Sequence, residues 1–168
     1  MQQLMVLRHA EATGWQPDSD DFSRPLTEAG TNHARLVARF IDANLDLPER
    51  ILCSPAQRTR ETLAPLLSSN PELESVIRFV PQIYNASIEI LVSLLDFAFV
   101  ENSRILIIGH NPGIGRLASE LISDRTERTI FSMPEGTLVV IDFDPGWVVG
   151  SGNGCLSRRV TRADLSVD

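Results

Sequence analysis

The chain has 168 residues, 43% of them hydrophobic and 22% charged, which suits one domain long enough to bury about two-thirds of the surface its unfolded form exposes. Fifteen Lys and Arg against 22 Asp and Glu give a net charge of −7, which argues against a general nucleic-acid binder and requires any anionic ligand to be held by a local basic cluster. A mean hydropathy near zero, with no run of membrane-span length, argues against a disordered or membrane-embedded chain.

Cys53 and Cys155 are too few and too scattered for a disulfide scaffold or a zinc site. Met1 to Leu7 has neither the basic leader nor the long apolar core of a signal peptide, so a reduced, cytoplasmic setting is expected.

Leu4 to Leu7 is a continuous apolar run, as in a strand buried on both faces of a parallel sheet. It stops on Arg8 and His9, and ligands of open α/β sheets bind beyond the carboxyl ends of such strands. There a guanidinium can grip a phosphate oxygen in bidentate fashion and a neutral imidazole can act as a nucleophile. Thr13 to Asp21, with Gly14, Pro17 and three aspartates, reads as a loop over the same edge. Trp15 and Phe22 within and beside it suit either a lip for a protein partner or anchors for the loop.

Thr27 is placed to cap a helix that carries Leu36, Val37, Phe40 and Ile41 at helical spacing and ends near Asn44. His33 on this helix reads as a surface or core-edge residue. Ile51 to Cys53 forms a short second strand, and Ser54-Pro55-Ala56-Gln57 has the form of a capping box that opens another helix. Arg58 falls one turn in, with Glu61 and Thr62 on its face.

Val76 to Val80 is a weaker strand, followed by an amphipathic helix with Ile88, Leu91, Val92 and Leu95 on one side. Arg104 to Ile108 repeats the buried-strand pattern and ends in Gly109-His110-Asn111-Pro112-Gly113, and a helix with Ile114, Leu117, Ala118, Leu121 and Ile122 on one face follows. Thr137 to Phe143 is a β-rich run, Asp144 to Gly146 a turn, Trp147 to Val149 a hairpin partner, and Gly150 to Gly154 a flexible connection. Cys155 to Val160 can add an edge strand, and a frayed tail is expected from Asp164. This alternation implies a single α/β domain over 1–163: a three-layer sandwich with a mostly parallel central sheet flanked by helices and a β-rich C-terminal part.

Three strand-to-helix junctions share one theme: Arg8-His9, Ser54 with Arg58, and His110 with Asn111. In a parallel sheet they lie along one edge, so two arginines, two histidines and helix N-termini can converge on a tetrahedral dianion. Arg24 is a further candidate, in the loop region beside that edge.

At this point the sequence resembles the histidine phosphatase superfamily, and within it the SixA phosphohistidine phosphatase group. The resembling pieces are Leu7-Arg8-His9-Ala10, Arg24-Pro25-Leu26-Thr27, the run from Ser54 through Arg58 to Thr62, and Gly109 to Gly113, in the family's order. The resemblance implies that His9 takes the phosphoryl group, that Arg8 and Arg58 hold its equatorial oxygens, and that His110 completes the pocket. Arg24, Asn111 and Ser54 become candidate substrate-binding residues. No metal or other cofactor is implied, because arginines and histidines supply the positive charge that phosphoryl transfer requires. The implied partner is a phosphohistidine-bearing protein such as a histidine-phosphotransfer domain, with inorganic phosphate as product. Neither nucleic acid nor membrane is implied.

Superfamily mutases and phosphomonoesterases protonate an alkoxide leaving group with a carboxylic acid. Here the corresponding segment, Tyr84 to Glu89, offers only Glu89, whose place in the first turn of a helix is also explained by the helix dipole. A phosphoramidate relieves the difficulty because its bridging nitrogen is readily protonated. The alternatives are a small-molecule phosphomonoesterase or mutase of the same superfamily, and a module that recognises phosphate without turnover.

Cys53 to Arg58 resembles a cysteine-phosphatase loop, but has one intervening residue too few and lacks the glycines that let amides wrap a phosphate. Gly113-Ile114-Gly115-Arg116-Leu117-Ala118 fits a dinucleotide fingerprint only weakly, with Pro112 intruding and no strand-ending acid at the right distance.

Overall fold

The computed structural model describes residues 1–122, 132–144 and 154–165. Six strands form one sheet: β1 (Gln2–Arg8), β2 (Arg50–Cys53), β3 (Ile77–Phe79), β4 (Arg104–Gly109), β5 (Leu138–Phe143) and β6 (Cys155–Val160), in the order β3-β2-β4-β1-β5-β6. β1 to β4 run parallel, and β5 is antiparallel to both β1 and β6. Helices α1 (Glu28–Asn44), α2 (Gln57–Ser69), α3 (Ile88–Phe99) and α4 (Gly113–Leu121) connect and cover it.

Alternation along the strands explains the three layers. Leu4 and Val6 of β1 pack with Ile105 and Ile107 of β4 against Leu91, Leu95 and Leu117 of α3 and α4. Met5, Leu7, Leu106 and Ile108 point the other way and pack against Val37, Ile41, Leu63 and Leu66 of α1 and α2. A strand that must be apolar on both sides reads as an unbroken hydrophobic run.

The expected elements that fall within the described residues are present, with adjustments. The weak third strand shrinks to Ile77–Phe79. Ser54 does not cap a helix from its own position: α2 starts at Gln57 and has no side-chain cap, because the Ser54 hydroxyl faces the His110 ring at 2.8 Å instead. The face of α1 turned to the sheet is Gly30, His33, Ala34, Val37, Ala38 and Ile41, so His33 is buried rather than at the surface. Asp164 and Leu165, expected in a frayed tail, lie in a 3-10 turn over Arg162–Leu165, with the Asp164 carboxylate accepting from the Thr161 amide at 2.8 Å. The expected turn through Gly146, the Trp147 to Val149 hairpin partner and the Gly150 to Asn153 connection lie outside the described residues.

Among the described residues no helix is long and apolar enough to cross a membrane. Gly113 of the weak dinucleotide pattern has a packing reason, since a Cβ there would stand 2.6 Å from the Ala86 carbonyl oxygen.

Candidate active site

Parallel register brings the functional residues together. Arg8 lies opposite Gly109 and Cys53 opposite Ile108, so β1, β4 and β2 finish level with one another. The ladder continues one step past the strands, with the His9 amide bonded to the Gly109 carbonyl at 3.2 Å and the Ser54 amide to the Ile108 carbonyl at 3.0 Å. His9, Ser54 and His110 are thereby set side by side, and the His9 and His110 ring centroids stand 5.2 Å apart.

His9 is 5% exposed, and its Nδ1 lies 2.8 Å from the Ala10 carbonyl oxygen. A carbonyl can only accept, so Nδ1 carries the hydrogen and Nε2 keeps its lone pair. Burial, followed by the charges of Arg58, Arg8 and Arg24, pushes the His9 pKa down to about 4 against the opposing pull of the Ala10 carbonyl. Burial likewise pushes His110 to about 3, again aided by Arg58. Both rings are neutral near pH 7, and a neutral imidazole is the nucleophilic form.

Two guanidiniums flank the rings, that of Arg58 buried and that of Arg8 half-buried. Arg58, 4% exposed, gives one terminal nitrogen to the Asp21 carbonyl at 2.6 Å and the other to the Asp21 carboxylate at 3.1 Å. Arg8 donates to the Met133 carbonyl at 2.9 Å and has Glu135 at 3.7 Å. The Nε of each arginine is buried and has no hydrogen-bond partner among the described residues, as is Nδ1 of His110. A buried unpaired N–H costs free energy on the order of a lost hydrogen bond, so its retention beside a neutral imidazole suits an anion.

The second helix explains its own motif. Thr62 accepts from the Ala10 amide at 3.0 Å and donates to the Arg58 carbonyl at 2.7 Å, tying the segment after His9 to α2. Glu61 accepts from the Leu26 amide at 2.7 Å, and Thr59 donates to the Ser54 carbonyl at 2.7 Å. On the far side the Gly136 amide bonds to the His9 carbonyl at 2.8 Å. Gly136 has φ 73°, and a Cβ there would stand 2.3 Å from the His33 ring, so only glycine fits both the backbone and the space.

Of the candidates named from sequence, His9, Arg8, Arg58, His110 and Ser54 are contiguous. Arg24 joins them through Asp21, its Nε donating to the carboxylate at 2.9 Å. Asn111 is exposed and donates to the Met133 carbonyl at 3.0 Å, sharing that acceptor with Arg8. Glu89 is not brought into the cluster. It is exposed in the first turn of α3, and a Ser87 hydrogen bond, with help from Arg116, lowers its pKa, which opposes a role as proton donor.

Sequence reasoning missed Asp21 and Tyr84. The Tyr84 hydroxyl donates to the Asp21 carboxylate at 2.5 Å, and its ring stands edge-on to both His110 and Phe22. That hydrogen bond, followed by the charges of Arg58 and Arg24, holds Asp21 at about 2. Phe22 thus anchors the loop, while Trp15 is 60% exposed. The cysteine-phosphatase alternative fails on chemistry, because burial raises the Cys53 thiol to about 12 and leaves it protonated.

Comparison with known proteins follows the same residues. The model of the histidine phosphatase superfamily (branch 1) matches residues 4–79, from the first strand through Arg58 to β3. An uncharacterised protein of Mycobacterium tuberculosis is 30% identical over 118 residues, covering 70% of each chain. The chain belongs to the histidine phosphatase superfamily. Within the superfamily it is SixA-like: the phosphohistidine phosphatase SixA of Escherichia coli is 27% identical over 167 residues, covering 98% of this chain and 97% of that one. A solved structure of the protein histidine phosphatase SixA complexed with tungstate superposes with a TM-score of 0.81 at 25% identity, covering 98% and 99% of the two chains. Superfamily hydrolase chemistry therefore applies to this chain.

The neutral rings make a pH prediction. Between the ordinary histidine value of 6.5 and the folded values of about 4 and 3, the unfolded chain binds more protons than the folded one. Stability contributed by these groups is therefore fully present above 6.5 and falls with pH toward the folded values. In NMR titration the His9 and His110 rings are expected to show no inflection between about pH 5 and 8, while the melting temperature declines as pH falls below 6.5. An inflection of either ring near 6.5 contradicts the neutral pair.

Proposed function

We propose that this protein is a metal-independent phosphatase that removes the phosphoryl group from phosphohistidine in a protein, of the phosphorelay or histidine-phosphotransfer type, in the cytoplasm. One histidine phosphatase domain carries the activity. Nε2 of His9 attacks phosphorus while Arg8 and Arg58 hold the equatorial oxygens. With Ser54 donating its hydroxyl hydrogen to Nε2 of His110, Nδ1 of that ring becomes a third donor. The phosphorus–nitrogen bond to the substrate breaks, and its electron pair stays on the departing imidazole. When the distal nitrogen of that imidazole is protonated, the ring leaves neutral. Water then adds to phosphorus, the bond to His9 breaks, dihydrogen phosphate departs, and His9 returns to its neutral form.

The observation that carries the choice of substrate is the placement of the carboxylates: Asp21 is engaged by Arg58, Arg24 and Tyr84, and Glu89 stands exposed outside the cluster. Asp21, at the site, is held at about 2, and Glu89 is exposed with a lowered pKa. An alkoxide leaving group needs a protonated acid, whereas a phosphoramidate carries its own proton. Small-molecule phosphatases also share this fold and remain the second reading. Side-by-side turnover of a phosphorylated histidine-phosphotransfer protein, 3-phosphoglycerate and p-nitrophenyl phosphate tests the proposal. The phosphoprotein is expected to have the highest kcat/KM, and a preference for 3-phosphoglycerate overturns the assignment.

A further inference from the structure

The two arginines that bracket His9 are each met by a carboxylate on their outward side. Asp21 lies 3.1 Å from one terminal nitrogen of Arg58, and Glu135 lies 3.7 Å from one terminal nitrogen of Arg8. The arrangement is layered by depth. Arg58 and His9 are 4% and 5% exposed and the Arg8 side chain 22%, whereas the Asp21 and Glu135 side chains are 37% and 36% exposed. The unpartnered buried Nε atoms of Arg8 and Arg58 lie within, and the carboxylates occupy the mouth.

Charge at the mouth follows from the same residues. Arg8, Arg24 and Arg58 are set against Asp21 and Glu135, so the described site is less positive by two charges than its guanidiniums alone make it. A bound phosphoryl dianion tips the local sum to negative. A second anionic group on the substrate then meets two carboxylates, while a cationic one is attracted to them.

We propose that Asp21, assisted by Glu135, is a specificity-determining residue that selects a positively charged leaving group by accepting a hydrogen bond from the distal N–H of a protonated phosphohistidine ring. The inference rests on the phosphohistidine reading and deepens it. Tyr84 orients the carboxylate, because its hydroxyl donates to the same Asp21 oxygen that faces Arg58. Holding the proton on the distal nitrogen of the bound substrate weakens its phosphorus–nitrogen bond, so the ring departs neutral with the electron pair on the nitrogen that bore phosphorus. A mouth of this kind rejects phosphoglycerate-like substrates through repulsion as well as favouring phosphohistidine through attraction.

The test compares kcat/KM for a phosphohistidine peptide, phosphoramidate, p-nitrophenyl phosphate and 3-phosphoglycerate in wild type, Asp21→Asn and Glu135→Gln. Phosphoramidate serves as the small probe, since its protonated nitrogen leaves as ammonia. In Asp21→Asn, the ratio of phosphohistidine peptide to p-nitrophenyl phosphate is expected to fall by about tenfold or more, with the phosphoramidate ratio following and relative activity on 3-phosphoglycerate rising. Glu135→Gln is expected to move the ratios in the same direction by a smaller factor. An equal loss on all four substrates in Asp21→Asn makes Asp21 a mere support for Arg58 and overturns the proposal. If that variant does not fold, an unchanged ratio in Glu135→Gln overturns it instead. If wild type leaves the phosphohistidine peptide untouched but its preference for phosphoramidate collapses in Asp21→Asn, the substrate reading fails and the selection by leaving-group charge stands.

Discussion

Replacing His9 with alanine is expected to lower kcat on the order of 10⁶-fold, the scale for removing a nucleophile that works as part of a unit. The ring has a single lone pair aimed away from its own backbone, because Nδ1 is committed to the Ala10 carbonyl. Without Nε2 the phosphoryl group has no acceptor and must be transferred directly to water. The second ring does not substitute, since Nε2 of His110 is engaged with Ser54. Incubation with a phosphohistidine peptide carrying labelled phosphorus is therefore expected to label wild type transiently and His9→Ala not at all. Binding of tungstate is expected to survive the substitution, because Arg8 and Arg58 are untouched, and this separates loss of chemistry from loss of the site. Labelling of the alanine variant at wild-type level removes His9 from the mechanism.

Arg58→Ala carries the next largest effect, a loss of about 2 to 4 kcal/mol in transition-state stabilisation, read as a fall in kcat/KM of about 30- to 1,000-fold. Phosphoryl transfer spreads charge over the equatorial oxygens, and a fixed, nearly fully buried guanidinium neutralises it with little reorganisation. The substitution also releases Asp21, which Arg58 grips through both the backbone carbonyl and the carboxylate. Arg58→Lys restores a charge without the planar fork, so partial recovery is expected in binding of an oxyanion and less in kcat. Activity of Arg58→Ala within about twofold of wild type contradicts the role, since removing a charge-stabilising donor costs far more than that.

The apolar runs at Leu4 to Leu7 and Arg104 to Ile108 announced central strands because both faces of each are covered, a requirement that leaves a direct mark on sequence. The Thr27 cap was legible for a similarly local reason, and its hydroxyl accepts from the Gly30 amide at 2.9 Å. Ser54 shows the limit of local reading. Its surroundings spell a helix cap, but a ring 56 positions away takes its hydroxyl. Glu89 shows the same limit in reverse, an acid at the right place in the chain whose helix leaves it exposed and outside the cluster. Asp21 stood among several aspartates in a polar loop with nothing in the sequence to distinguish it.

By itself the sequence determined where strands give way to helices and which reactive side chains stand at those junctions, because burial on two faces and the chemistry of Arg8, His9, Arg58 and His110 are properties of short segments. Only the tertiary structure decided that the junctions finish level, through the parallel register of β1, β4 and β2. It alone selected Asp21 and Tyr84 as well, since their contacts span 37 and 63 residues and depend on how a loop closes over a helix. Hydrophobic pattern is dictated residue by residue, whereas a polar contact between distant segments exists only once the sheet has set their ends side by side.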